Sequence, residues 1–293
     1  MERISFMDII YSPYGENVDI INKNNVTFIQ FPIFKDFPLV HGFSTRPGGV
    51  SKNHLSSMNF RRGEDESEEN IQKNFELFTG ALGISKHQLV LSQQTHTTNI
   101  RVVTKEDKGK GILFPQDYSD VDGLITGEED IFLMIFGADC VPVFYYDPVK
   151  KVIGASHCGW KGTKGLFPKK ILERMKEEFG CDAKDVLAAI GPSICRDCYE
   201  VSKDVAEEFF EAYSREDCQR FVRDDRNGKF HVDLWEANRT TLKNAGVKEE
   251  NIFVGNLCTC CNPDFLFSHR ASKGLRGVLG GGLMMKGQIK DGQ

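Results

Sequence analysis

One cysteine and two histidines in this sequence are of the types that form a reactive metal centre: His96, Cys140 and His157. Zinc binds thiolate and imidazole ligands in a tetrahedron, and three protein ligands leave one position open for water. Water in that position ionises near neutral pH and attacks carbon centres. Asp139, beside Cys140, could orient a ligand or transfer a proton. The alternative is a small buried cysteine and an ordinary loop histidine. Both residues lie where strands give way to glycine-containing loops, which favours the catalytic zinc centre.

A β-hairpin must position the cysteine and the second histidine. Two runs of strand-forming residues within 141–156 flank a four-residue loop that begins with Asp-Pro, a common hairpin connection. If Tyr146 pairs with Lys151, Cys140 lies directly opposite His157. The Cβ atoms of such a pair are roughly 4.5–5.5 Å apart. The sequence therefore predicts that thiol and imidazole meet at the open end of the hairpin.

The remaining elements indicate one mixed α/β domain. Apolar residues at helical spacing predict helices at 70–82, 163–179, 202–210 and 234–245. Short strands lie between them without a regular βαβ period, an internal repeat or a Pro/Ser-rich linker, which favours a single domain of packed mixed sheets covered by helices. We expect an N-terminal extension over 1–36, packed on the core, and a single catalytic domain over 37–293.

Composition limits the classes of function. The chain has 293 residues, 40% hydrophobic and 27% charged, with a formal net charge of −5, which argues against a nucleic-acid-binding protein. Its most apolar run is shorter than the roughly 18 residues of a membrane span, and the N-terminus does not resemble a secretory signal. We therefore expect a cytoplasmic protein with no membrane or nucleic-acid partner. In a reducing compartment, its nine cysteines favour ligand or nucleophile roles over disulfides.

Several further features are open to two interpretations. Segment 157–165 is rich in glycine and leads into a helix, where exposed amides suit a phosphate, or it is an ordinary turn. Arg46 and Arg270 could clamp a phosphate or carboxylate, or form surface ion pairs. The remaining candidate thiols invite a structural zinc site, but Cys-x-Cys-Cys departs from the usual Cys-x-x-Cys spacing, and the sequence does not favour that site: Cys195, Cys198, Cys258, Cys260 and Cys261.

Taken together, the motifs resemble the laccase-domain family, also called the YfiH-like or multicopper polyphenol oxidase family, whose members are treated as purine nucleoside phosphorylases. The match runs from about His41 to about Leu283. It consists of motifs in the family's order, namely His41 to Ser51, Ser57 to Phe60, Gln94 to His96, Asp122 to Thr126, Ala138 to Pro142, Ser156 to Gly162, Ile190 to Ile194, Cys198 to Val201 and Phe267 to Arg270. Each motif alone is weak, and their combination is specific.

This resemblance implies a YfiH-like α/β fold and a zinc ion held by His96, Cys140 and His157. It implies phosphorolysis of adenosine, inosine and methylthioadenosine, with nucleoside and phosphate as the small-molecule partners and adenosine deamination as a second activity. Substrate or phosphate contacts would come from Arg46, Asn59 and Arg270, and catalytic roles from the three zinc ligands and Asp139. Two features depart from the family pattern: His269 replaces the usual Tyr, and residues 271–274 replace the usual Arg-rich segment.

Two other activities stay open alongside the zinc phosphorylase. The fold is similar to that of toxin deamidases with a Cys-His pair, so Cys140 could be the nucleophile and His157 the base of a metal-free thiol amidase, acting on a peptidoglycan precursor or a related amide. Copper-dependent polyphenol oxidation follows from the family's older name. It is disfavoured because the chain has seven histidines and no His-x-His pair, although copper could occupy the zinc site adventitiously.

Overall fold

Fifteen strands and six helices are described in the computed structural model, which covers residues 9–226 and 228–287. The strands are β1 (Asp19–Lys23), β2 (Val26–Gln30), β3 (Leu39–Ser44), β4 (Leu89–Leu91), β5 (Ile100–Val102), β6 (Gly123–Thr126), β7 (Phe132–Gly137), β8 (Val141–Asp147), β9 (Val152–Cys158), β10 (Leu187–Ile190), β11 (Glu200–Ser202), β12 (Val222–Asp224), β13 (Lys229–Val232), β14 (Ile252–Val254) and β15 (Leu279–Met285). The helices are α1 (Glu68–Leu82), α2 (Trp160–Lys164), α3 (Phe167–Phe179), α4 (Lys203–Ala212), α5 (Arg215–Phe221) and α6 (Leu234–Asn244).

The strands form three sheets, and two of them mix parallel and antiparallel pairs. The first sheet has the order β1-β2-β3-β15-β7-β4, in which β4 and β7 are parallel. The second has the order β14-β10-β8-β9-β6-β5, with parallel pairs at both edges. A small third sheet has the order β11-β13-β12. The predicted mixed α/β fold is confirmed.

The two six-stranded sheets pack face to face because strands such as β7 are apolar on both faces. Leu133 and Ile135 belong to the core between the sheets. Phe132 and Met134, on the opposite face, share a second core with Phe75 of α1, as the period-two alternation of a strand requires. Helices α3 and α6 cover the outer face of the second sheet. The layers therefore run helix, sheet, sheet, helix.

The described part of segment 1–36, residues 9–36, contributes strands to the first sheet. Strand β1 pairs with β2 along its full length, and β2 pairs with β3 through Ile29 opposite Phe43. The proposed division at residue 37 remains a prediction.

One predicted helix is two helices in the structure. The predicted segment 163–179 divides into α2 and α3, because Leu166 has a left-handed φ of 55° that a continuing helix cannot accommodate. Pro168 then lies in the first turn of α3, where a missing amide proton costs nothing. In the described ranges, no helix combines the length and the apolar character that crossing a membrane requires.

Candidate metal and catalytic site

The β8–β9 hairpin brings Cys140 and His157 together, although the predicted register is wrong. Asp147 pairs with Val152 at the turn, so Pro142, not Cys140, lies opposite His157. The Asp147 carboxylate accepts hydrogen bonds from two loop amides, each 2.9 Å away, and so ends the strand one residue later than predicted. Because side chains alternate with a period of two, a two-residue shift in pairing keeps Cys140 on the same face as His157.

His96 comes from the loop that follows β4, and a glutamine side chain anchors this loop to β7. Gln94 Nε2 donates to the carbonyl oxygen of Phe136 at 2.8 Å, and Gln94 Oε1 accepts from the Phe136 amide at 2.6 Å. The Ser92 hydroxyl donates to the same Oε1 at 2.7 Å. His96 itself has a φ of 65°, a left-handed conformation uncommon outside glycine. Side-chain hydrogen bonds, rather than regular strand pairing, therefore hold the loop in place.

A buried carboxylate, Asp122, joins this loop to the hairpin. It accepts hydrogen bonds from the amides of Thr95, His96 and Thr97 at 3.0, 3.1 and 3.0 Å. It also contacts His157 Nδ1 at 2.8 Å. Since Nδ1 faces the carboxylate, His157 is left with Nε2 as its available metal-binding or proton-accepting nitrogen.

Asp122 opens the motif Asp122 to Thr126, and its position in the sequence indicates no chemical role. Burial raises the pKa of its carboxyl group, but the hydrogen bonds from His157, Thr95 and Thr97 outweigh burial and hold the pKa below its usual value. Asp122 is therefore a charged, fully buried partner to the ligand loop. The residues that Asp122 contacts lie far from it in the sequence, so spacing alone does not reveal these contacts.

The three predicted zinc ligands converge at one point. The candidate ligand atoms of His96, Cys140 and His157 all lie within 4.8 Å of one another. Cys140 Sγ is 4.0 Å from His96 Nε2. The centroids of the His96 and His157 rings are 5.0 Å apart, and the ring planes meet at 75°. His157 is buried and His96 exposed, so the group opens toward solvent on one side.

Gly159 keeps space beside these three side chains. A Cβ atom at this position would lie 3.1 Å from Cys140 Sγ and 3.2 Å from His96 Cδ2. The φ of Gly159 is −61°, which any residue can adopt. Space beside the ligands, rather than backbone conformation, therefore favours glycine.

The electrostatics favour a thiolate at Cys140. Burial raises the pKa of the thiol, but the imidazoles of His157 and His96 outweigh burial and lower the pKa to about 6. Burial lowers the pKa of His157, but the Cys140 thiolate and the Asp122 carboxylate outweigh it and raise the pKa to about 9. A thiolate is the form in which cysteine binds metals and acts as a nucleophile.

Asp139 lies beside the group in a strained conformation held by two hydrogen bonds. Its φ is 87°, far from the usual region for a non-glycine residue. Its carboxylate accepts from the Thr259 hydroxyl at 2.6 Å and from the Arg270 amide at 2.7 Å. Both oxygens therefore have protein partners, which fixes the segment that carries Cys140.

Two of the three predicted substrate contacts, Arg46 and Arg270, bind backbone carbonyl oxygens of this chain. The Arg46 guanidinium donates to the carbonyl oxygens of Ser56 and Pro263 and lies over the Phe267 ring. The Arg270 side chain donates to the carbonyl oxygens of two residues, 198 and 200, at 3.1 and 2.9 Å. Both side chains thus bind the chain's own backbone. Their contacts with substrate remain predictions.

Asn59, the third of these residues, is fully buried. Its Oδ1 accepts from the amides of Arg61 and Val278 at 2.8 and 3.0 Å, and its Nδ2 donates to Arg61 O at 3.0 Å and Glu66 Oε2 at 3.2 Å. The side-chain amide has no free hydrogen-bonding position. Its predicted contact with substrate would require one of these bonds to open.

A cation that the sequence analysis did not single out faces the site. Burial lowers the pKa of the Arg276 guanidinium, while the charges of Cys140 and Asp139 act in the opposite direction. Arg61 is near enough to repel it. The Nε atoms of both arginines are buried without a hydrogen-bond partner among the described residues. The Arg276 guanidinium therefore lies within electrostatic range of Cys140 with its Nε donor unused, while its Nη1 donates to the Gly277 carbonyl oxygen at 3.2 Å. Arg61 is paired with Asp65.

Known proteins resemble the chain over most of its length. The model of a family described as multi-copper polyphenol oxidoreductase laccase matches residues 40–286. Purine nucleoside phosphorylase YlmD of Bacillus subtilis is 33% identical over 240 residues, covering 82% of this chain and 86% of the relative. A purine nucleoside phosphorylase of Bacteroides thetaiotaomicron is 36% identical over 234 residues, covering 78% of this chain and 85% of the relative.

Solved structures agree with the fold. Hypothetical protein YfiH of Bacillus licheniformis superposes with a TM-score of 0.84 at 30% identity, covering 91% of this chain and 99% of that one. YlmD of Geobacillus stearothermophilus gives a TM-score of 0.84 at 29% identity, covering 92% and 99%. The resemblance predicted from the motifs is confirmed, and this chain belongs to the multi-copper polyphenol oxidoreductase laccase family.

Proposed function

We propose that this chain is a zinc-dependent purine nucleoside phosphorylase that acts on adenosine, inosine and methylthioadenosine and deaminates adenosine as a second activity. The convergence of His96, Cys140 and His157 around a space kept open by Gly159 carries the proposal. Relatives named as purine nucleoside phosphorylases support the reaction class.

The donor set fits zinc. One thiolate and two imidazoles are ligands that zinc takes, and three protein ligands are typical of a catalytic rather than a structural site. A zinc ion held by these side chains would supply a Lewis acid with an open coordination position. Asp122 orients His157 for this role through the 2.8 Å contact with Nδ1, as carboxylates beside metal-binding histidines commonly do.

Phosphorolysis requires a site for a phosphate anion next to the nucleoside. A phosphate oxygen forms a bond to the anomeric carbon of the ribose, the bond from that carbon to the purine nitrogen breaks, and the purine leaves with the electron pair and takes up a proton. Arg276, assisted by Arg61, is the proposed phosphate ligand because its buried Nε has no described partner and guanidinium groups match phosphate geometry. Arg46, Asn59 and Arg270 stay proposed contacts of substrate or phosphate beside it.

Deamination would use the same site on the base. A water oxygen adds to the purine carbon that bears the amino group, and ammonia leaves with the proton that the water loses. Asp139, whose carboxylate is held beside Cys140 by Thr259 and the Arg270 amide, is the proposed carrier of that proton.

A metal-free thiol amidase is the second candidate, and the ionisation of Cys140 favours it. A cysteine whose pKa is about 6, next to a histidine, has the properties of an activated nucleophile. Iodoacetamide distinguishes the two functions, because a zinc-bound thiolate is shielded from alkylation. Rapid labelling of Cys140 in the protein as purified, together with activity that survives chelation, would support the amidase.

Copper oxidation has less support from the side chains. Of the seven histidines, all in the described ranges, only His96 and His157 belong to a group that could hold a metal. A multicopper centre requires more imidazoles than these two.

Product analysis tests the proposed reaction. Zinc-quantified protein is incubated with adenosine, with and without inorganic phosphate, and the products are separated by chromatography. We expect adenine and ribose 1-phosphate only in the presence of phosphate, and inosine in both samples. His96→Ala should lose both products, and His87→Ala, an exposed histidine outside the site, is the matched control. Adenosine that stays intact in both samples of zinc-loaded protein would exclude the nucleoside reaction.

A further inference from the structure

A second group of possible metal ligands lies outside the site described above. The sulfur atoms of Cys195, Cys198, Cys258 and Cys261 all lie within 4.8 Å of one another. Cys261 Sγ is 3.4 Å from Cys198 Sγ and 4.0 Å from Cys195 Sγ. All nine cysteines, each within the described ranges, are free thiols. The four sulfurs therefore meet without being bonded.

The sulfur separations match a tetrahedral metal site. With zinc–sulfur bonds of about 2.3 Å, the edge of a ZnS4 tetrahedron is about 3.8 Å. The separations of 3.4 and 4.0 Å lie on either side of this value. A disulfide would need about 2.05 Å, far shorter than either. The arrangement thus suits a shared ion better than a bond between two sulfurs.

The backbone around Cys258 is arranged to stabilise a thiolate. Cys258 is buried, and its Sγ accepts hydrogen bonds from the amides of Cys195 and Cys261 at 3.2 and 3.4 Å. Hydrogen bonds to the charged form favour ionisation. One of these amides comes from each of the two chain segments that supply the ligands.

The spacing of the group is also that of a zinc site. Cys195 is the N-cap of a 3₁₀ turn that ends at Cys198. Cys258 and Cys261 form a second Cys-x-x-Cys pair within the Cys-x-Cys-Cys run. The extra residue, Cys260, is outside the group of four. Two Cys-x-x-Cys pairs are a familiar set of structural zinc ligands.

We propose that Cys195, Cys198, Cys258 and Cys261 bind a structural zinc ion. Binding converts four thiols to thiolates, forms four zinc–sulfur bonds and releases four protons, so that the ZnS4 unit carries a charge of −2. All four positions of the tetrahedron are filled by protein. The ion therefore has no open position for water or substrate, and its role is to cross-link the chain.

The cross-link would fasten two segments that support the candidate active site. Ser193 and Cys258 form a parallel bridge, and the Thr259 amide donates to Ser193 O at 3.1 Å. The hydroxyl of Thr259, the residue after Cys258, donates to Asp139 at 2.6 Å. On the other segment, the Arg270 guanidinium donates to Cys198 O at 3.1 Å. The four-cysteine site thus reaches the segment of Cys140 through one intervening residue.

Zinc counting in matched variants tests the site independently of the proposed reaction. Full-length protein is produced with zinc in the medium, and zinc per chain is measured by mass spectrometry. We expect two zinc ions in the wild-type protein, one in Cys140→Ala and one in Cys261→Ser. Cys260→Ser is the matched control, because it alters the same loop outside the group, and it should retain two.

Cys140→Ala also allows the site to be identified if Cys261→Ser does not fold. X-ray absorption at the zinc edge in that variant should show four sulfur neighbours at about 2.3 Å. Nitrogen neighbours, or no zinc in Cys140→Ala, would overturn the proposal. So would an intact mass of the protein, purified under reducing conditions, that shows the loss of two hydrogens for a Cys198–Cys261 disulfide.

Discussion

Asp122 is the residue on which the positions of both candidate histidine ligands depend. One carboxylate oxygen contacts His157 Nδ1 and the His96 amide, at 2.8 and 3.1 Å. The other accepts from Thr95 and Thr97. Every group that contacts the carboxylate donates a hydrogen bond to it. An asparagine side chain at this position would therefore place its own NH2 group against at least one of these donors.

Replacing that carboxylate tests its role. We expect Asp122→Asn to weaken zinc affinity about 10- to 100-fold, as is typical for partners of metal-binding histidines, measured by competition with a chromophoric chelator. Asp120→Asn is the matched control, because Asp120 is exposed and its carboxylate accepts from the Thr95 hydroxyl rather than from a histidine. Equal zinc affinity in the two variants would show that Asp122 does not orient the ligands.

Gly159 provides a steric test of the same site. A methyl group there would lie 3.1 Å from Cys140 Sγ, so we expect Gly159→Ala to reduce zinc content and phosphorolysis at least about 10-fold while the protein stays folded. Gly80→Ala, whose new methyl group meets nothing within 4 Å, should retain both zinc and activity. Full zinc occupancy and full activity in Gly159→Ala would contradict the proposed position of the ligands.

Arg276, whose buried Nε has no partner among the described residues, allows phosphate binding to be tested separately from nucleoside binding. We expect Arg276→Ala to raise the KM for phosphate by about 10- to 100-fold, from the loss of a charge-assisted contact worth about 1.5–3 kcal/mol, with a much smaller change in the KM for inosine. Arg215→Ala, on the exposed end of α5, is the control. An unchanged KM for phosphate would assign this contact to another cation.

Elements were more predictable than their relative positions. Apolar spacing predicted α1 at 70–82 and α6 at 234–245, and the helices span Glu68–Leu82 and Leu234–Asn244, because both have an apolar face toward a core. The break between α2 and α3 depends on one left-handed residue, Leu166, which helical spacing does not reveal.

The parts of the site that lie close together in the sequence could be predicted, and the parts that depend on contacts between distant residues could not. The hairpin joins Cys140 to His157 through a short loop, and an error of two residues in register still placed them together. Asp122 and the pairing of Cys198 with Cys261 depend on contacts between residues 35 and 63 positions apart, which only the fold brings together.

At the level of elements, His41 makes the joint between β3 and the end of β2 sensitive to acid. Its Nε2 accepts from the Phe31 amide at 3.0 Å, and its ring lies against those of Phe31 and Phe34. Burial lowers the pKa of His41 to about 4. The folded protein therefore holds this imidazole neutral at a pH where the unfolded chain binds a proton.

This linkage predicts a loss of stability below pH 6.5. The contribution of His41 is fully present above about pH 6.5 and is lost as the pH falls to about 4, a total of about 3 kcal/mol. Chemical denaturation of wild type and His41→Gln across this range measures the difference, since glutamine can accept from the Phe31 amide without titrating. Parallel pH profiles in the two proteins would contradict the assignment.

On the scale of the whole molecule, metal binding should contribute to stability. Zinc at about 1,000 times its Kd stabilises the folded state by about 4 kcal/mol, and for a chain of this size that raises the Tm by on the order of 10 °C. We expect chelation to lower the Tm of wild type by at least this amount and to lower that of Cys140→Ala by less, since one site is already lost. A Tm that chelation leaves unchanged would exclude a metal role in stability.

We propose that phosphorolysis depends on a metal held by Cys140 and the two histidines. The most direct measurement is kcat/KM for phosphate-dependent cleavage of inosine by wild type and Cys140→Ala, each with its zinc content determined in the same sample. We expect Cys140→Ala to lose one zinc ion per chain and its kcat/KM to fall by more than about 100-fold, since a catalytic metal supplies several kcal/mol. A Cys140→Ala protein that cleaves inosine at the wild-type rate would contradict it.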